Sequence, residues 1–244
     1  MTFVVVGASA GLGRALAEAL ARRGRSLLLV ASDERDLVSL AADLRLTCGV
    51  EARVLAHDAV DHEGLATAVD AAIPKDEWLE ALLFPIGTSD DDDDATLPGG
   101  RAEALVNINL LAVTSVVARL VPRMLARRRG VIVGFGSIAA ERGRGRNVVY
   151  AAAKRGLESA FESFRHRFEP LGLSVVLYTL GYVDTNLAFG RPLPFPKADP
   201  RRLAERVCDD LGRARGKRFL PGGWRFVAFA VRAMPWFLYR RARF

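Results

Sequence analysis

VGASAGLG, residues 6–13, closes an apolar run, FVVVG (3–7), and opens a stretch in which Leu12, Leu16, Ala19 and Leu20 recur at helical spacing. A buried strand feeding a glycine-rich turn and then a helix is a ready anion site. The helix start aims unpaired N–H groups and the positive end of its dipole outward. Gly7, Gly11 and Gly13 remove side chains where a phosphate backbone would approach and where the helix must pack on the strand, with Ser9 and Leu12 between them. The spacing is Gly-x3-Gly-x-Gly, so the turn points to a dinucleotide only together with its place after the first strand.

Working outward, strand-length apolar runs recur at SLLLVA (26–31), ARVLAH (52–57), ALLFPIG (81–87), GVIVGFG (130–136) and LSVVLYTL (173–180), with a weaker RFL (218–220). Continuous rather than alternating apolar runs mark strands buried on both faces. Helical stretches separate them, among them Ala102–Arg129 and Val148–Phe168. The pattern predicts an α/β fold: a doubly wound, parallel, seven-stranded sheet in a three-layer αβα Rossmann arrangement over residues 1–221, followed by a tail, 222–244. The acidic run at the head of DDDDDATLPGG (90–100) reads as a solvated turn, and no metal site is expected. The proline-rich AFGRPLPFPKADP (188–200) reads as a loop or lid with a helix starting at Pro200.

The chain has 244 residues, half of them apolar, and two cysteines, Cys48 and Cys208, far apart in sequence. That usage fits a reduced, cytoplasmic setting. The start runs straight into a strand, without the basic region and cleavage site of a signal peptide. The formal net charge is +7. Its arginines are dispersed rather than gathered in one face, which argues against nucleic acid as the partner. They are densest in GGWRFVAFAVRAMPWFLYRRARF (222–244), which has five arginines, no acid and many large apolar groups. Too short between charges to span a bilayer, this tail suits a helix lying peripherally on a membrane interface, or a contact with another subunit. Pro235 should break it.

Tyr150 and Lys154 stand four apart in VVYAAAKRGL, on one face of a helix. An ammonium held beside a phenol favours the phenolate and brings its proton into useful range. Ser137 lies just past the fifth strand, and Asn109 heads an apolar helical run. Together with GASAGLG, this set resembles the short-chain dehydrogenase/reductase family along nearly the whole chain. The resemblance implies that Ser137 and Tyr150 bind the reacting oxygen and that Tyr150 is the general acid/base. It implies that Lys154 tunes Tyr150 and grips the nicotinamide ribose, and that Asn109 holds a relay water. It further assigns Gly7, Ser9, Gly11, Leu12, Gly13, Ser32, Asp58, Gly87, Gly181, Val183 and Thr185, with Tyr150 and Lys154, to binding NAD(H) or NADP(H). Which of the two is open: Ala31 takes the family's acid position and Ser32 its arginine position, with Asp33, Arg14 and Arg35 nearby. Three residues depart from the family pattern. Val6 replaces a threonine, FPIG (84–87) replaces Asn-Asn-Ala-Gly so that an interstrand hydrogen bond is lost or replaced, and Leu180 replaces a proline.

AAERGRGRNVVY brings Arg142, Arg144 and Arg146 between Ser137 and Tyr150, where arginine forks would suit phosphate oxygens. This loop, GYVDTNLA and the tail resemble one branch of the family, the decaprenylphosphoryl-2-keto-ribose reductases, in which a flavin-dependent oxidase partner makes the ketone that the reductase consumes. The resemblance implies reduction of a 2-keto sugar on a polyprenyl phosphate, in cell-envelope synthesis at the inner membrane face. The alternatives are a soluble ketoreductase for acyl, steroid or small carbonyl substrates, and a nucleotide-sensing scaffold. The helices 102–129 and 148–168 match those on which family members pair, implying a homo-oligomer.

Overall fold

The computed structural model describes residues 1–185 and 195–241. Seven strands form one sheet: β1 (Thr2–Val6), β2 (Ser26–Ala31), β3 (Ala52–Ala56), β4 (Leu79–Phe84), β5 (Gly130–Ser137), β6 (Leu173–Leu180) and β7 (Gly216–Leu220). Their order is β3-β2-β1-β4-β5-β6-β7, every pair parallel. Chain direction across the sheet reverses between β1 and β4, and at such a switch point the carboxyl ends of the strands leave a crevice. The strand ends move by a few residues from the sequence reading. Gly7 has already left β1, and β4 stops at Phe84 because Pro85 has no N–H for the ladder.

The helices are α1 (Gly11–Ala21), α2 (Glu34–Cys48), α3 (His62–Ala71), α4 (Gly99–Val106), α5 (Ala112–Leu125), α6 (Val148–Phe168), α7 (Pro200–Asp210), α8 (Trp224–Ala233) and α9 (Trp236–Tyr239). They cover both sheet faces, and two cores result. On one side Phe3 and Val5 meet Leu16 and Leu20 of α1, Leu37 of α2 and Leu203 of α7. On the other, Val4 and Val6 meet Leu65 of α3, Val116 and Leu120 of α5, and Phe161 of α6. Alternate residues of one strand thus serve opposite cores, which is why the strands read as unbroken apolar runs. Gly99–Leu125 has the length and hydropathy of a membrane span, but the apolar face of its α5 part lies in the second core.

The tail folds back. Trp224 is buried, its ring edge-on to Tyr182 and Phe195, and Tyr239 is buried at the other end. The helix breaks before Pro235, as proline's missing N–H requires. Most of the proline-rich loop, and with it any lid, lies outside the described residues, but Ala198 pairs with Val183 and α7 begins at Pro200 as expected. Cys48 and Cys208 are free thiols.

Candidate active site

The glycine turn is shaped by close approaches. Gly7 has φ +97°, and a Cβ there would lie 2.8 Å from the Ile86 backbone. A Cβ on Gly13 would lie 1.8 Å from the Gly7 carbonyl oxygen, so α1 sits directly on the turn. Gly13 therefore serves packing and does not line the cavity, a correction to its expected place among cofactor contacts. The other expected cofactor positions, Gly7, Ser9, Gly11, Leu12, Ser32, Asp58, Gly87, Gly181, Val183 and Thr185, all line one cavity of about 1280 Å³ at the carboxyl ends of the strands.

Ser137, Tyr150 and Lys154 line the same cavity. Ser137 ends β5, its Oγ accepting from Ala139 N–H at 3.2 Å, which sets the side chain at the strand exit. Lys154 is buried, and its ammonium donates to the carbonyls of Ile86 (3.3 Å) and Phe135 (3.1 Å). Burial lowers its pKa to about 8 from the ordinary 10.5. Ile86 belongs to the segment that departs from the family pattern. Phe84 there is fully buried in the second core, while Pro85 and Ile86 line the cavity.

Asn109 does not line the cavity. It sits, fully buried, in a π-helical turn, Asn107–Leu111, between α4 and α5. Its amide donates to the carbonyls of Thr88 (2.8 Å) and Leu105 (2.9 Å), and its Oδ1 accepts from Thr88 N–H at 3.3 Å. The carboxamide thus staples the β4 exit to the helix, and π turns of this kind recur at functional sites.

The arginine loop divides. Arg144 and Arg146 line the cavity. Arg142 does not: it donates to the carbonyls of Val231 (2.9 Å) and Met234 and stacks on the Tyr239 ring, 4.0 Å from its centroid. Its expected substrate role is corrected to a clasp on the tail, because the tail's C-terminal helix end offers carbonyls with no helical partner. Next to it, Glu141 is buried and pairs with Lys217 (2.6 Å) and Arg232 (2.5 Å), joining the same loop to β7 and α8.

At the end of β2, Ala31 and Ser32 line the cavity, while the Asp33 carboxylate accepts from Asp36 N–H at 3.1 Å and caps α2. Arg14 donates to the Ser9 carbonyl at 3.1 Å, bracing the turn. Ala31 and Ser32 bring no carboxylate to repel a 2′-phosphate, so this end suits either dinucleotide.

The acidic run departs from the solvated turn expected of it. Asp93 is 1% exposed and caps α6. The neighbouring acids are held by Arg101 of α4, which bonds Asp90 (2.8 Å) and Asp92 (3.0 Å). Five aspartates in a row carry no signal that singles out the buried one.

Fold and site together define an oxidoreductase that works with a nicotinamide dinucleotide. The family profile described as short chain dehydrogenase matches residues 1–191, and the chain belongs to the short-chain dehydrogenase/reductase family of NAD(P)-dependent enzymes. It is 26% identical over 239 residues to an uncharacterized oxidoreductase of Mycobacterium tuberculosis, covering 98% of this chain and 95% of that one. It is 29% identical over 220 residues to a very-long-chain 3-oxoacyl-CoA reductase of Aspergillus clavatus, covering 87% of this chain and 62% of that longer one. Among solved structures, a short-chain dehydrogenase from Sphingobium yanoikuyae in complex with NADPH superposes with a TM-score of 0.85 at 25% identity, over 100% of this chain and 96% of that one.

Proposed function

We propose that this enzyme reduces a ketone carried on an anionic, lipid-linked molecule, a 2-keto sugar on a polyprenyl phosphate, to the secondary alcohol. The observation that carries the reading is that Arg144 and Arg146 line the cavity that also holds Ser137, Tyr150 and Lys154. The residues fit a nicotinamide dinucleotide, because the glycine turn leaves a cradle that side chains would fill and the start of α1 faces it. When bound, that cofactor supplies the hydride. The chain's own part is to orient and to move a proton. Ser137 and Tyr150 donate hydrogen bonds to the ketone oxygen, Tyr150 gives up its proton as negative charge grows there, and Lys154 stabilises the resulting phenolate. The two arginines take the phosphate with charge-assisted forks. Such a ketone must be made by oxidation of the sugar's 2-hydroxyl, a step suited to a separate flavin-dependent oxidase.

The test is a substrate panel with NADPH: a polyprenyl-phosphoryl 2-keto-pentose, acetoacetyl-CoA, and the neutral diketone phenanthrenequinone. The sugar should be preferred. In the double variant Arg144→Ala, Arg146→Ala, its KM should rise by about 10²–10⁴-fold, from hydrogen bonds to charge worth roughly 1.5–3 kcal/mol each. KM for phenanthrenequinone should stay put, and equal rises for both would remove the arginines from recognition. A second reading, 3-oxoacyl thioester reduction, is favoured by the similarity to 3-oxoacyl-CoA reductases and wins if acetoacetyl-CoA is the preferred partner.

The tail fits the same substrate. Phe226, Phe229, Trp236, Phe237 and Leu238 are exposed, with Arg225 and Arg240 among them. Aromatic and arginine side chains together suit the interface of an anionic bilayer. The protein should sediment with phosphatidylglycerol vesicles and not with phosphatidylcholine vesicles, and Phe226→Ser with Trp236→Ser should abolish it. Failure to sediment with phosphatidylglycerol vesicles would overturn membrane docking, and equal sedimentation with both vesicle types would remove the arginines from it.

A further inference from the structure

We propose that Asp93 is a positioning residue for Tyr150, holding the start of α6 so that the acid meets the ketone oxygen. The inference rests on the reading of Tyr150 as the general acid. A helix start leaves N–H groups without helical partners, and the residue before α6 does nothing for them. Asn147 is in the left-handed region, φ 53°, and makes no side-chain cap. Asp93 supplies the cap from a loop more than fifty positions earlier. One carboxylate oxygen accepts from Val149 N–H and the other from Tyr150 N–H, each at 2.9 Å, and its backbone carbonyl accepts from Val148 N–H at 3.3 Å. Three successive N–H groups, the last belonging to Tyr150 itself, are thus fixed by one buried residue. A bidentate carboxylate across two backbone donors defines an orientation as well as a distance.

The other end of the same loop is fixed to Asn109, buried behind the cavity wall. Thr88 exchanges hydrogen bonds with the Asn109 carboxamide, donating at 3.3 Å and accepting at 2.8 Å. Between these anchors, Thr88, Ser89 and Asp91 line the cavity. Arg101 holds Asp90 and Asp92 from the outside. The segment 88–93 is therefore a brace running from Asn109 along the cavity wall to Tyr150. Placement of the phenol is set by this brace as well as by the strand before it.

The experiment uses full-length protein with NADPH and phenanthrenequinone, comparing wild type, Asp93→Ala, Asp93→Asn and Tyr150→Phe. NADPH binding is read by fluorescence, to count competent sites. Asp93→Ala should lower kcat per NADPH-binding site by about ten- to a hundredfold, the scale of a small misplacement at a reacting centre. KM for NADPH should move by less than about threefold, since the lost effect lies in the transition state. Asp93→Asn keeps one acceptor and the same shape, and its kcat should fall between. If Asp93→Ala does not fold, the isosteric Asn variant decides alone. Wild-type kcat per site in Asp93→Asn, or a rate loss that only follows the loss of NADPH-binding sites, would overturn the proposal. If Tyr150→Phe keeps its turnover, the reading beneath it fails instead. If Tyr150→Phe is inactive while both Asp93 variants run at the wild-type rate, only the role of Asp93 fails.

Discussion

Tyr150→Phe is expected to lower ketone reduction by about 10²–10⁴-fold, the contribution typical of a positioned general acid, while leaving NADPH binding and fold intact. The substitution removes one oxygen from a ring that lines the cavity and leaves the backbone N–H that Asp93 holds at 2.9 Å untouched. Helix start, ring packing and cofactor cradle therefore survive, and only the proton donor goes. The checks are single-turnover NADPH oxidation with a ketone and NADPH fluorescence titration. A variant that binds NADPH normally and still turns over at the wild-type rate would take the acid role away from Tyr150. Ser137→Ala alone should be milder, since it removes one of two donors to the same oxygen.

Lys154→Met should cost activity on a similar scale, and it carries a pH signature as well. The buried ammonium has a pKa near 8 instead of the ordinary 10.5, because burial disfavours its charge. Between those two values the unfolded chain binds more protons than the folded one, so stability rises with pH across that window. Below about pH 8 the fold carries the full cost of the buried charge, an upper bound of about 3 kcal/mol for a shift of this size. By pH 10.5 that cost is relieved. Methionine keeps the bulk and abolishes the titration, so the variant lacks this rise. Denaturant unfolding of cofactor-free protein should show wild type gaining on Lys154→Met by up to about 3 kcal/mol from pH 7.5 to 10.5. A parallel pair of stability curves would mean that Lys154 binds its proton equally well in the folded and unfolded chain, so that burial does not disfavour its charge.

These two residues were legible because their relation is local. Four positions along a helix put two side chains on one face whatever the rest of the chain does, and Val148–Phe168 is a helix. The glycine turn was legible for a similar reason: an apolar strand, three glycines and a helical period are neighbours in sequence. Val6 and Leu180, both departures from the family pattern, changed nothing in this frame, since each pairs in the sheet.

Other parts of the site could not be read along the chain. The three arginines of the loop look alike in sequence, yet Arg142 turns to the tail and stacks on Tyr239, while Arg144 and Arg146 face the cavity. Five consecutive aspartates gave no hint that Asp93 alone would be buried. Gly13, grouped with the cofactor contacts, packs on the Gly7 carbonyl instead.

By itself the sequence determined the alternation of strands and helices, the glycine turn after β1, and the pairing of Tyr150 with Lys154, because each is a matter of period or spacing within about one turn or one strand. Only the tertiary structure decided which residue caps α6, which arginines reach the cavity, and that the tail lies against the loop between Ser137 and Tyr150. Those contacts join segments some fifty to ninety residues apart. They exist because the sheet places β4 beside β5 and β6 beside β7, bringing loops at the carboxyl ends of those strands together. Hydrophobic period selects such an order only through the packing of the whole domain.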